Sequence, residues 1–169
     1  MNTTTELIRL AQGGDAHAFS RLYEAVYTDL YRFALYTLRH AQDAEDAVSE
    51  TVLDAFSGIH MLREASAFKS WIFRILTAKC NRRIRQYTTA PAQLDEDLGD
   101  ESKKEEAICQ QTDIQRALGV LSREDRLIIS MSIFAGYSSQ EIGEQLQMNP
   151  NTVRSRQSRA LKKMEELLV

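Results

Sequence analysis

At 169 residues, 43% hydrophobic and 27% charged, the chain has apolar material for one domain or two small ones and enough charge for a soluble protein. No run approaches the roughly 20 apolar residues that cross a bilayer. The opening Met1-Asn-Thr-Thr-Thr-Glu6 lacks the basic-then-apolar order of a secretory leader, so a cytoplasmic protein is expected.

Seven glycines, two prolines and little β-branched alternation predict an all-α fold. A short first helix ends at Gly13-Gly14, and Asp15 offers the cap of a second. That helix carries Phe19, Leu22, Tyr23, Val26, Leu30, Phe33 and Ala34 on one face. Asp43 is the expected cap of a third helix, with Val48, Val52, Ala55 and Phe56 inward and a stop at Gly58. Ser66 is the expected cap of a fourth, whose buried face is Phe68, Trp71, Ile72, Ile75 and Leu76.

On that fourth helix Arg74, Ala78, Asn81 and Arg85 form a polar stripe opposite the apolar face. From Arg74 to Arg85 inclusive there are five bases and no acid. The preceding loop, Ser57 to Ala67, holds His60, Met61 and Ser66. A basic helix beside a loop able to form a small pocket suits unstacked, single-stranded bases.

Residues 88–111 then carry seven acids against two bases, while the segments on either side are each close to neutral at +1. This acidic stretch, with Pro91 and almost no periodicity, predicts a flexible tether. Its 24 residues could extend to about 80 Å. Two turns of B-DNA measure about 70 Å, so the flanking domains, 1–87 and 112–169, could occupy separate DNA sites.

The second domain starts near Asp113 with Ile114, Ala117, Leu118 and Leu121. Ser122-Arg-Glu-Asp125 is similar to a capping box, and Leu127, Ile128, Met131, Ile133 and Phe134 form the next apolar face before Gly136. A short helix from Ser139 is broken at Asn149-Pro150, where Asn149 caps and Pro150 begins another. This last helix turns Val153, Ala160, Leu161, Met164 and Leu168 inward, and its other side shows Thr152, Ser155, Arg156, Arg159 and Lys163, with Arg154 at the border. Short helix, tight turn and basic helix is the arrangement that enters a major groove, where Arg grips guanine and Lys or Thr holds phosphate.

These blocks resemble the extracytoplasmic-function (ECF, group 4) RNA polymerase sigma factors. The resemblance rests on Asp43-Ala-Glu-Asp46 with Glu50, Ala55 and Phe56; on Phe68-Lys-Ser-Trp71-Ile-Phe-Arg-Ile75; and on Gly136-Tyr-Ser-Ser-Gln-Glu-Ile142 with Thr152-Val-Arg-Ser-Arg156. It implies two helical domains, region 2 and region 4, and an alternative sigma factor that gives core RNA polymerase its promoter specificity. Asp43, Glu45, Asp46 and Glu50 would dock on the β′ clamp helices, and region 4 would meet the β flap. His60, Met61, Ser66, Lys69, Trp71, Arg74, Ala78, Asn81, Arg82 and Arg85 would melt and read the −10 element. Asn151, Thr152, Arg154, Ser155, Arg156, Ser158, Arg159 and Lys163 would read or hold the −35 element. An anti-sigma factor, often membrane-anchored in this family, is a further expected partner. Ala78 stands where the family often has Asn, and Ser158 where a bulkier residue is common.

A helix-turn-helix regulator that works without polymerase is the alternative, although the alternating strands of a receiver domain are missing. An enzyme is not expected: His17, His40 and His60 lie far apart, with no nucleophile pattern and no Gly-rich phosphate loop. Cys80 and Cys109 form no CxxC pair and have no neighbouring histidine, so neither a metal nor any other cofactor is expected.

Overall fold

The structure, a computed structural model, describes residues 3–89 and 113–168, with Thr88 and Thr89 described by their backbone alone. Apart from those two residues, the acidic tether expected over 88–111 lies outside the described residues. Among the described residues every regular element is helical. The first four helices are α1 (Thr3–Gln12), α2 (Ala16–Leu38), α3 (Ala41–Gly58) and α4 (Phe68–Thr89). Beyond the undescribed segment come α5 (Asp113–Gly119), α6 (Arg123–Ile133), α7 (Ser139–Leu146) and α8 (Pro150–Leu168). Two 3-10 turns, Ile59–Met61 and Ala65–Ala67, join α3 to α4.

Capping residues set most of these boundaries. Asp15 accepts hydrogen bonds from the His17 and Ala18 amides at 3.0 and 3.1 Å, starting α2 as its sequence predicts. The cap of α3 is His40 and not Asp43: the imidazole Nδ1 accepts from the Asp43 amide at 3.2 Å. Asp43 sits one turn later, where its charge favours the positive end of the helix dipole. Ser66 caps nothing, because it lies inside the second 3-10 turn, whose backbone runs straight into α4 through a Phe68 N–H bond to the Ala65 carbonyl. The cap of α7 is Ser138, one residue before the expected start, in a full capping box with Glu141.

The first half packs Leu30, Phe33 and Ala34 of α2 against Ala44 and Val48 of α3 and Ile72, Phe73 and Leu76 of α4, all buried. Phe33 meets Phe73 edge to face, with centroids 5.7 Å apart. In the second half Leu118, Leu121, Ile129, Ala160 and Met164 pack together. The two halves are not separate bodies. The core of α2–α4 continues into Leu127, Ile128 and Met131 of α6, Tyr137, Ile142 of α7 and Val153 of α8.

Arg126 reinforces this junction. Its guanidinium donates to the Leu118, Leu121 and Thr37 carbonyls at 3.1, 3.0 and 3.3 Å. One buried cation thereby serves the C-terminal ends of helices from both halves, where the dipole is negative. Burial, followed by the nearby Arg39 and Arg123 charges, pulls its pKa down to about 10.

Several expected core residues lie elsewhere. Leu161 and Leu168 are 48% and 49% exposed, because the inner seam of α8 runs through Val153, Ala160 and Met164. Leu161 sits one residue, about 100°, off that seam. Ile114, Ile133 and Phe56 are also well exposed, and the Phe56 ring meets Phe19 edge to face.

Candidate nucleic-acid interface

The acids of α3 divide into two groups. Glu45 and Asp46 point to solvent, and Asp46 accepts from Gln42, one turn back on its own helix. Asp43 is half-buried beside His40, at 3.7 Å from its Nδ1. Glu50, the fourth of the expected docking acids, lies 2.8 Å from Arg83 of α4. Asp54, one turn further, pairs with Lys79 at 2.6 Å. Two ion pairs, four residues apart on each helix, thus tie α3 to α4.

The basic run of α4 is therefore split by the helical repeat. Lys79 and Arg83 turn towards α3, and their side chains are 13% and 18% exposed. Arg74, Ala78, Arg82 and Arg85 face outward with Asn81 half-buried among them, so the polar stripe read from the sequence does form. With Thr77 the stripe lines one wall of a cleft of about 300 Å³, and Gln145 and Leu146 at the end of α7 form the other.

The loop before α4 is held in place by a residue that sequence reasoning missed. Gln12 at the end of α1 donates its amide to the Ile59 and Leu62 carbonyls at 3.1 and 2.7 Å. His60, Met61 and Ser66 remain exposed, Met61 by 72%. Lys69 is exposed but pairs with Asp29 of α2 at 3.2 Å. Trp71 is half-buried against Phe68, and its ring lies so close to Gly58 that an added Cβ there would be 3.6 Å away.

The helix-turn-helix is α7 and α8. Gln147 adopts a left-handed conformation (φ 58°) and the Met148 amide bonds back to the Gly143 carbonyl at 2.9 Å. A Cβ at Gly143 would lie 2.6 Å from the Met148 carbonyl oxygen, so this tight turn requires glycine. Asn149 Oδ1 accepts from the Asn151 amide at 2.8 Å and starts α8 at Pro150, as expected. Ser139 donates to Gln157 at 3.0 Å and pins the two helices together.

On the outer face of α8, Asn151, Thr152, Arg154, Ser155, Ser158, Arg159 and Lys163 are all exposed. Arg154 bonds to Asn151, and Arg159 lies against the Ser155 carbonyl at 3.4 Å. Arg156 departs from this set. Its side chain is 22% exposed and meets Asp125 at 2.7 Å and Glu124 at 3.0 Å, both in the first turn of α6. Asp125 also has its amide held by Ser122, so half of the expected capping box forms and the Asp125 carboxylate serves Arg156.

Among the described residues no group of three or more His, Cys, Asp or Glu could hold a metal, and no helix is long and apolar enough to cross a membrane.

Residues 22–89 match the Sigma-70 region 2 family and residues 111–164 match Sigma-70 region 4. The chain is 31% identical over 163 residues to the ECF RNA polymerase sigma factor SigM of Mycobacterium tuberculosis (strain ATCC 25618 / H37Rv), covering 96% of this chain and 83% of SigM. It is 32% identical over 136 residues to the RNA polymerase sigma factor SigV of Bacillus subtilis (strain 168), covering 80% of this chain and 82% of SigV. Among solved structures, CnrH in complex with the cytosolic domain of CnrY shares the fold, with a TM-score of 0.66 and 22% identity over 99% of this chain and 97% of that one. The sigma factor RpoE, in complex with the anti-sigma factor NepR from Bartonella quintana, gives 0.61 and 25% identity over 89% and 96%.

Proposed function

The chain belongs to the ECF RNA polymerase sigma factors, and from that premise we propose how its surfaces divide the work of promoter-specific initiation. As an alternative sigma factor it binds core RNA polymerase and directs it to −10 and −35 elements. We assign region 2 to residues 1–87, an acidic tether to 88–111 and region 4 to 112–169.

Asp43, Glu45 and Asp46 are the docking acids towards the β′ clamp helices, with Glu45 and Asp46 the open members. Glu50 contributes at the edge of this face while holding Arg83. The −10 strand runs along Arg74, Ala78, Asn81, Arg82 and Arg85, and His60, Met61, Ser66, Lys69 and Trp71 bound its upstream end. In region 4 the bases of the −35 element face Arg154, Ser155, Ser158 and Arg159, and Asn151, Thr152 and Lys163 hold phosphates. Arg156 supports α8 from behind.

The observation that carries this reading is the coexistence of two polar nucleic-acid faces and an open acidic face in a single helical chain. A helix-turn-helix regulator acting alone has use for only one of the three. Because CnrH and RpoE are each held by a second protein in their structures, an anti-sigma partner is proposed for this chain too. The protein works in the cytoplasm, beside its polymerase, and performs no catalysis.

Run-off transcription with reconstituted holoenzyme tests the proposal. Transcripts that start at defined promoters only when this chain is added to core enzyme support it. Tight duplex binding by the free chain, with no effect on core polymerase, would overturn it.

A further inference from the structure

Of the five cations on α4 from Arg74 to Arg85, two are turned into the bundle. Lys79 Nζ lies 2.6 Å from Asp54, and the Arg83 guanidinium lies 2.8 Å from Glu50. As the partner on α3 advances by four residues, the partner on α4 retreats by four. The pairs are therefore two rungs between antiparallel helices, about 6 Å apart along the axis. Both cations are largely out of water, so salt screens these pairs less than it screens exposed ones.

Glu50 and Asp54 belong to a row. With Asp46 they recur at every fourth residue of α3. Asp46 is exposed on the docking face, and the next two acids are engaged by α4. One line of carboxylates thus runs from the polymerase side of α3 to the helix that carries the −10 stripe.

Apolar packing gives the α3 side of this seam little direction. Its buried residues are Ala44, Ala47, Val48, Thr51 and Ala55, none larger than valine. The buried hydroxyls of Thr51 and Thr77 donate to the Ala47 and Phe73 carbonyls, each on its own helix. Burial of small side chains is non-directional, whereas a hydrogen-bonded ion pair has a preferred geometry. Turning α4 by one residue, about 100°, would break both rungs. The same turn would displace Ala78 and Arg82, the chain neighbours of Lys79 and Arg83 in the stripe.

We propose that Lys79 and Arg83 are positioning residues for promoter opening. Their pairs with Asp54 and Glu50 fix the −10 stripe relative to the docking helix, so that polymerase held on α3 sets where the separated bases meet α4. Neither side chain touches DNA. The proposal rests on the assignment of α3 to docking and of the α4 stripe to the −10 strand.

The test compares holoenzymes carrying Lys79→Asp, Asp54→Lys and the exchange of both on a duplex promoter. Permanganate reactivity of unpaired thymines reads opening, core affinity is titrated alongside, and every assay runs well below each variant's melting temperature. Lys79→Asp replaces one rung by a repulsion and is expected to slow opening about tenfold at unchanged core affinity. The exchange rebuilds the rung with its charges reversed and should recover opening to within about twofold. Failure of the exchange to rescue would mean that Lys79 itself meets DNA, and it overturns the proposal. So does normal opening by folded Lys79→Asp, or a loss of core affinity large enough to account for the whole effect. Lys79→Met keeps the stem without the charge and serves if Lys79→Asp unfolds, with about a fivefold loss expected. Arg74→Ser tests the stripe by itself: unchanged −10 dependence of transcription removes that assignment, whereas a clear loss beside normal opening by Lys79→Asp refutes positioning alone.

Discussion

The Arg156 guanidinium lies 2.7 Å from the Asp125 carboxylate, so a basic residue of the recognition helix is directed at the protein and not at DNA. Arg156→Ala should cost about 1–3 kcal/mol of stability, the range for a hydrogen-bonded charge left without its partner. It should weaken −35 binding by the same factor for every promoter sequence. Arg159→Ala, at an exposed position, should cost about 1–3 kcal/mol in binding and relax preference at one base pair. Competition between promoter variants for holoenzyme separates the two; a base-specific change in the Arg156 variant would contradict its supporting role.

The acids of α3 should respond unequally to mutation. Asp46→Lys reverses an open charge and is expected to lower affinity for core polymerase with little change in melting temperature. Glu50→Gln breaks the half-buried pair with Arg83 and should cost about 1 kcal/mol of stability. Its effect on polymerase affinity should be the smaller of the two. Thermal melts alongside polymerase titrations decide the matter, and equal losses of affinity would erase the distinction.

Acid should loosen the helix-turn-helix at its first cap. The Glu141 carboxyl pKa is held below its usual value by hydrogen bonds from the Ser138 amide and hydroxyl, and the Arg74 charge lowers it further. A carboxyl with a lowered pKa in the folded state stabilises the protein above its unfolded value, near 4.5, and that contribution is lost as pH falls through the folded value. Protection factors of α7 amides, taken relative to intrinsic exchange at each pH, should therefore fall below about pH 4.5, and Glu141→Gln should flatten this dependence. An acid response of the same steepness in the variant would assign it to other groups.

The Cys80 thiol should be chemically silent. It is fully buried, and burial pushes its pKa up to about 12, so almost no thiolate forms near neutral pH. In a Cys109→Ser variant, a disulfide reagent at pH 8 should react with Cys80 only after denaturant is added. Rapid reaction in the native protein would mean that α4 leaves the core readily.

Much of this architecture can be read from the sequence because a helical repeat writes its partners into the chain. Leu30, Phe33, Ile72 and Leu76 fall on the faces that periodicity assigns them, and Asp15 and Asn149 cap as their positions require. The pattern is weaker where two elements compete for one side chain. From Arg74 to Arg85 every cation has the same local signature, yet Lys79 and Arg83 are claimed by acids some 25 to 33 residues away. Arg156 is taken by α6 for the same reason. The starts of α3 and α4 differ from the expected Asp43 and Ser66 because His40 accepts a hydrogen bond through its ring and a 3-10 turn feeds α4 through its backbone. The contact between the halves left no trace in the periodicity, since Tyr36, Tyr137 and Arg126 act on backbone or rings far along the chain.

The helix-turn-helix separates the residues that hold its shape from those that face outward. Gly143 and Val153 hold α8 close against α7, and Ala160 and Met164 hold it against α5 and α6, while Arg154, Ser155, Ser158 and Arg159 are exposed. Heritable change on the outer face is therefore nearly neutral for folding. A duplicated copy of this gene could drift towards a new set of promoters one outer residue at a time, without passing through an unstable ancestor. The same freedom is denied at Gly143, where even a methyl group meets the backbone of the turn.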